Sequence, residues 1–191
     1  ENGIGAGGGM DLYFSHPTLT HVTITNNTAE DNGGGMYLSS SNPTLTGVII
    51  TNNTAEVAGG GMYLSSSNPT LTGVTITNNT AYTANIATSG GGMFLINSPD
   101  PTLTDVTISG NMAYSGGGMS LNSSDPILTD VTIDNNTASL GGGGMSVSGS
   151  STPTLTGVII TNNTADHGGG MELHSSDPIL TDVTIDNNIA N

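Results

Sequence analysis

Neither lysine nor arginine occurs in these 191 residues, against 15 aspartates and glutamates, which leaves a formal net charge of −15. Nucleic acid is excluded as a partner on that ground, because binding it requires cations that neutralise phosphates. Anionic membrane surfaces are disfavoured for the same reason. Cysteine is also missing, so no disulfide holds the fold and the redox compartment is not marked. No apolar run approaches the ~20 residues of a membrane span, and this numbering contains no signal peptide, so no membrane insertion is expected of the segment. No stretch has the 3.6-residue periodicity of an amphipathic helix. Charged residues make up only 8 % of the chain while Thr, Asn, Ser and Gly dominate, a composition suited to an extracellular or cell-surface solenoid rather than a cytoplasmic enzyme.

What the chain has instead is repetition. A block of about 26 residues, GGGMYLSSSNPTLTGVTITNNTAE in its cleanest form, recurs seven times. The methionine after each glycine run falls at Met10, Met36, Met62, Met93, Met119, Met145 and Met171, with spacings of 26, 26, 31, 26, 26 and 26. Periods of this length mark a solenoid, whose units bury their apolar side chains against their neighbours because none can do so alone. Measured from the repeated valine (Val22 to Val183), the residue two later is always isoleucine and the residue three earlier always leucine. These apolar sites alternate with Thr, Ser, Gly and Asp, which is the period of a strand. Each unit therefore reads as three short strands, GGMYL, PTLT and VTIT, with proline confined to a strand start, where its missing N–H costs least.

Stacking each strand on its equivalent one unit later gives an all-β, right-handed parallel β-helix of seven coils and three short strands per coil. At ~4.8 Å per strand the rod is about 34 Å long. Residues 1–191 form one domain, and the five-residue excess between Met62 and Met93 predicts a loop insertion over 82–89, between the third and fourth coils. Four residues after each valine stands Asn, or Gly once at Gly110, a choice that predicts a left-handed backbone. The next residue admits only asparagine: Asn27, Asn53, Asn79, Asn111, Asn136, Asn163 and Asn188. We expect these to point inward as a ladder of side-chain amides.

The two halves of the unit, GGGMYL and ITNNTA, resemble the GGA[IL] and F-x-x-N-x-A signatures in the repeats of chlamydial polymorphic outer-membrane proteins. Those belong to the wider pectate-lyase-like β-helix superfamily. Ile24 and its equivalents stand where that family has Phe, and Met follows the glycines here. The resemblance implies right-handed coiling and an adhesive or structural role outside the cell. It also raises polysaccharide cleavage, but lyases of that superfamily use an arginine or lysine that this chain lacks. Hydrolases need two carboxyls roughly 5–10 Å apart. Asp105 with Asp130, or Asp130 with Asp134, are candidates, yet the same acids recur as Asp182 and Asp186 in the copied phrase DPILTDVTIDNN. Duplicated acids read as surface decoration, so no catalytic residue is expected.

Other side chains carry lesser candidates. Tyr37, Tyr63 and Phe94 follow methionine in three consecutive coils and would form an outward aromatic row able to take a glycan or a lateral partner. Asn26, Asn52, Asn78, Asn122, Asn135 and Asn162 each open an N-x-[ST] sequon, an acceptor in a host with the machinery. His16, His21, His167 and His174 form no ligand signature, and no acidic loop has calcium-ligand spacing, so neither a metal nor another cofactor is expected; Ca2+ is the alternative that the repeated Asp and Asn leave open. The Thr-x-Thr rows, from Thr18 and Thr20 to Thr154 and Thr156, resemble the ice-binding surface of some β-helical antifreeze proteins, with Ile127 and Ile179 interrupting them. Both ends, ENGIGAGGGM and VTIDNNIAN, lie inside the repeat without a polar cap. The expected function is thus a non-catalytic surface-fibre subunit that self-associates head to tail, with a carbohydrate-binding adhesin as the alternative.

Overall fold

The computed structural model describes residues 5–82 and 88–191. The described residues contain no helix, and their strands form four parallel sheets of seven strands each. The first sheet runs from Met10–Tyr13 to Met171–Leu173, the second from Thr18–Thr20 to Ile179–Thr181, and the third from Thr23–Thr25 to Thr184–Asp186. The fourth, from Thr28–Ala29 to Ile189–Ala190, was not among the three expected per coil. Its strands are mostly two residues long, too short for an alternating pattern to register. Pairing is residue on equivalent residue: Met36 on Met62, Leu45 on Leu71, Ile50 on Ile76, Ala55 on Ala81.

Four strands per coil require four bends, and each bend turns on one left-handed residue, or on two at Gly149 and Ser150. One corner uses the asparagines expected from the sequence, with φ of 57° at Asn26 and 54° at Asn78. The second-to-third-sheet corner uses His21, Gly47, Gly73, Asp105, Asp130, Gly157 and Asp182. The first-to-second-sheet corner uses Phe14, Ser40, Ser66, Asn97, Ser123, Ser150 and Ser175, with φ between 48° at Phe14 and 60° at Ser150. Glycines from Gly7 to Gly168 make the last. Glycine continues beyond that corner for a different reason. A Cβ on Gly34 would lie 2.5 Å from the carbonyl oxygens of Gly60 and Thr54, so only a bare backbone fits between coils.

Inside the coil, Met36, Leu38, Leu45, Val48, Ile50 and Ala55 are fully buried, and their equivalents continue as files along the axis. In the seventh coil the same files are about half exposed, at 45 % for Leu173, 45 % for Leu180 and 50 % for Ile185. Most of the expected insertion at 82–89, residues 83–87, lies outside the described residues. On its far side the backbone rejoins the stack at once: Thr88 Oγ1 donates to the Ala81 carbonyl at 2.7 Å, and Ser89 bridges Ala58 and Ser115.

Candidate functional site

Polar chemistry in this rod is concentrated in two buried files and one surface row. The residue after each left-handed asparagine turns inward, because the bend swaps the face on which the next side chain emerges. Asn53 Nδ2 donates to Asn79 Oδ1 at 3.0 Å and to the Ile24 carbonyl at 3.0 Å, while its backbone N–H donates to the same Asn79 oxygen at 3.0 Å. The pattern repeats through Asn111, Asn136 and Asn163 to Asn188. Both donors and both acceptor sites of each interior amide are thereby used. These interior amides keep no donor or acceptor for a ligand.

A second file was not anticipated. The residue after the first-to-second-sheet corner is serine in every coil, and Ser41, Ser67, Ser98, Ser124 and Ser151 are fully buried. The backbone N–H of Ser41 donates to Ser67 Oγ at 3.0 Å, that of Ser67 to Ser98 Oγ at 3.2 Å, and Ser67 Oγ donates in turn to the Ser65 carbonyl at 2.9 Å. The sequence signal was a serine at a fixed place in all seven copies, hidden in runs such as Ser65–Ser66–Ser67.

On the outer face of the first sheet, Tyr37 and Tyr63 stack with ring centres 5.1 Å apart and planes within 8°, and Tyr63 stacks on Phe94 at 5.3 Å. Both faces of Tyr63 are therefore covered by rings, and one face each of Tyr37 and Phe94. Burial, followed by the nearby carboxylates Asp11 and Asp31, raises the Tyr37 hydroxyl above its ordinary pKa; Tyr63 is raised by burial, then by Tyr37 and Asp31. A cavity of about 260 Å³ opens beside the stack, lined by Asn32, Val57, Ala58, Tyr63, Ser89, Phe94 and Ile96. Within it Asn32 Oδ1 is buried and accepts no hydrogen bond from the described residues, while Asn32 Nδ2 donates to Asp31 at 2.8 Å.

The remaining candidates stay dispersed. Asn26, Asn52, Asn78, Asn135 and Asn162 stand outward at the third corner and Asn122 at a strand end. The Asn162 amide donates to Asp134 Oδ1 at 2.9 Å, and the Asn135 amide donates to the other oxygen of the same carboxylate. His16 Nδ1 accepts the Asn42 N–H at 2.9 Å, and His174 lies 3.2 Å from Glu172 at the opposite end. Among the described residues no group of three His, Asp or Glu side chains is arranged to hold a metal.

Residues 16–190 match the family described as the right-handed beta helix region. The chain belongs to the right-handed β-helix family. No curated protein and no solved structure matches it. The family relation gives the hand of the coil as right-handed. Since the fold carries both catalytic and non-catalytic proteins, function has to be argued from the side chains above.

Proposed function

We propose that this β-helix is a non-catalytic structural rod of the cell exterior, the subunit of a surface fibre. The observation that carries the reading is the fate of its asparagines and serines: residue types that elsewhere bind or catalyse are spent here on fastening coil to coil. The described carboxylates lie mostly on corners and outer faces, and among the described residues no group of three His, Asp or Glu side chains is arranged to hold a metal. The resemblance of the glycine and asparagine motifs to repeats of bacterial surface proteins supports the placement outside the cell. Electron microscopy of the purified protein is expected to show slender rods that join lengthwise, and protease treatment of intact source cells to remove the protein. Release of oligosaccharides from pectin-like or other polysaccharide substrates would overturn the non-catalytic assignment.

A second reading, a glycan-binding module, is favoured by the cavity beside Tyr63 and Phe94 and by its buried Asn32 oxygen, which accepts no hydrogen bond from the described residues. Glycan-array binding lost in the double variant Tyr37→Ala, Tyr63→Ala would move the assignment to it.

A further inference from the structure

The outward side chains of the four sheets do not vary equally. On the first sheet the residue after methionine passes through Asp11, Tyr37, Tyr63, Phe94, Ser120 and Ser146 to Glu172. On the second sheet the corresponding freedom is not used. Its last outward site is threonine in all seven strands, from Thr20 to Thr181, and its first is threonine except at Ile127 and Ile179. All are exposed or half-exposed, so packing does not select them. Nor does the approaching bend. The equivalent site on the third sheet, also one residue before a left-handed corner, accepts Ser109, Asp134 and Asp186. Strand propensity favours threonine, but the same preference has not kept threonine on the first sheet. In a chain of net charge −15, none of the outward residues of the second sheet is charged.

The result is a neutral two-column lattice. Neighbouring strands lie about 4.8 Å apart and the two columns about 6.6 Å apart, two residues along a strand. Pairing across all seven strands runs without a register shift. Isoleucine carries the same branched γ-methyl as threonine, so the methyl lattice passes through Ile127 and Ile179 and only two hydroxyls are lost. Beneath it the leucine file is closed by Leu45, Leu71, Leu103, Leu128 and Leu155, all fully buried. Hydroxyls are set against their neighbours, as Thr102 Oγ1 is to Thr70 Oγ1 at 3.4 Å. A ligand that exploits such a face must itself be periodic in two dimensions, uncharged, and able both to hydrogen-bond hydroxyls and to cage methyl groups. Ice meets all of these conditions, and the strand spacing is close to an oxygen repeat on faces of its hexagonal lattice.

We propose that the second sheet is an ice-binding face, a property separate from the structural role and independent of whether that reading holds. The test measures thermal hysteresis and inhibition of ice recrystallisation by the whole chain, beside Thr72→Tyr at the middle of the face and Thr77→Tyr on the adjoining third sheet. The unaltered chain is expected to arrest recrystallisation, T72Y to lose the effect, and T77Y to keep it, with thermal unfolding showing that all three fold. Thr72→Val, which removes one hydroxyl and keeps the branched shape, stands in if T72Y does not fold, and is expected to weaken the effect. Absence of any hysteresis or inhibition at millimolar concentration of the unaltered chain, or equal loss in T72Y and T77Y, would overturn the proposal.

Discussion

Asn78 and Asn79 are adjacent and chemically identical, yet Asn78 lies on the surface with φ of 54° while Asn79 is fully buried and shares hydrogen bonds with Asn53 and Asn111. Replacing Asn79 with leucine removes the acceptor for two donors of Asn53 and the donor to the Ile50 carbonyl. At about 1–3 kcal/mol for each buried group left unpaired, we expect Asn79→Leu to cost several kcal/mol in denaturant unfolding. Asn78→Gly keeps the left-handed corner and is expected to stay within about 1 kcal/mol of the parent. Equal losses in the two variants would refute the inward and outward assignment.

The serine file gives a parallel expectation. Ser67→Ala strips the Ser41 N–H of its acceptor inside the core, so a loss of about 1–3 kcal/mol is expected. Ser65→Ala, at a half-exposed outward site two residues earlier, at the end of the preceding strand, should change stability by no more than about 0.5 kcal/mol. A melting temperature that falls as far for Ser65→Ala as for Ser67→Ala would count against the ladder.

Glycines divide by what surrounds them. At Gly73 a Cβ meets nothing within 4 Å and φ is 60°, and the equivalent corner is held by Asp105, Asp130 and Asp182. Gly73→Asn should therefore fold with a penalty of no more than about 1 kcal/mol. Gly34→Ala drives a methyl into the Gly60 carbonyl, and circular dichroism with limited proteolysis should show its coil opened.

Alkaline titration tests the aromatic row. A tyrosine whose pKa is raised on folding holds its proton more tightly when folded. Its contribution is therefore complete below the unfolded value near 10 and is lost as pH rises through the folded one. Tyr37 and Tyr63 are both raised, first by burial. The double variant Tyr37→Phe, Tyr63→Phe is thus expected to lose less melting temperature than the parent between pH 9 and 11. Identical slopes would mean that the stack does not persist in solution.

How much of this was legible depends on length and on uniqueness of side-chain type. Leu64, Leu71 and Ile76 announced their strands because alternation needs only three residues to be seen, whereas the two residues Thr80–Ala81 could not announce a fourth. Asn78 signalled a left-handed corner because Gly110 replaces it one coil later. Ser66 is left-handed too, but serine does not signal that backbone on its own; at Asp105 the exchange with Gly47, Gly73 and Gly157 carried the same signal as Asn78 with Gly110. Asn79 was readable as inward since no other residue takes its place; Ser67 was masked by the serines beside it. The cavity at Asn32 depends on the packing of segments from several coils, which no repeat pattern encodes.

Successive rungs of the asparagine ladder are separated by 26, 26, 32, 25, 27 and 25 residues, and every rung still closes at about 3 Å. The chain keeps its alignment by counting corners, not residues. A copying error that lengthens a bend is therefore absorbed where it occurs and never shifts the coils that follow. Such a polypeptide can acquire foreign segments one at a time, between Tyr82 and Thr88 for instance, and present each at a known height on a rigid mast.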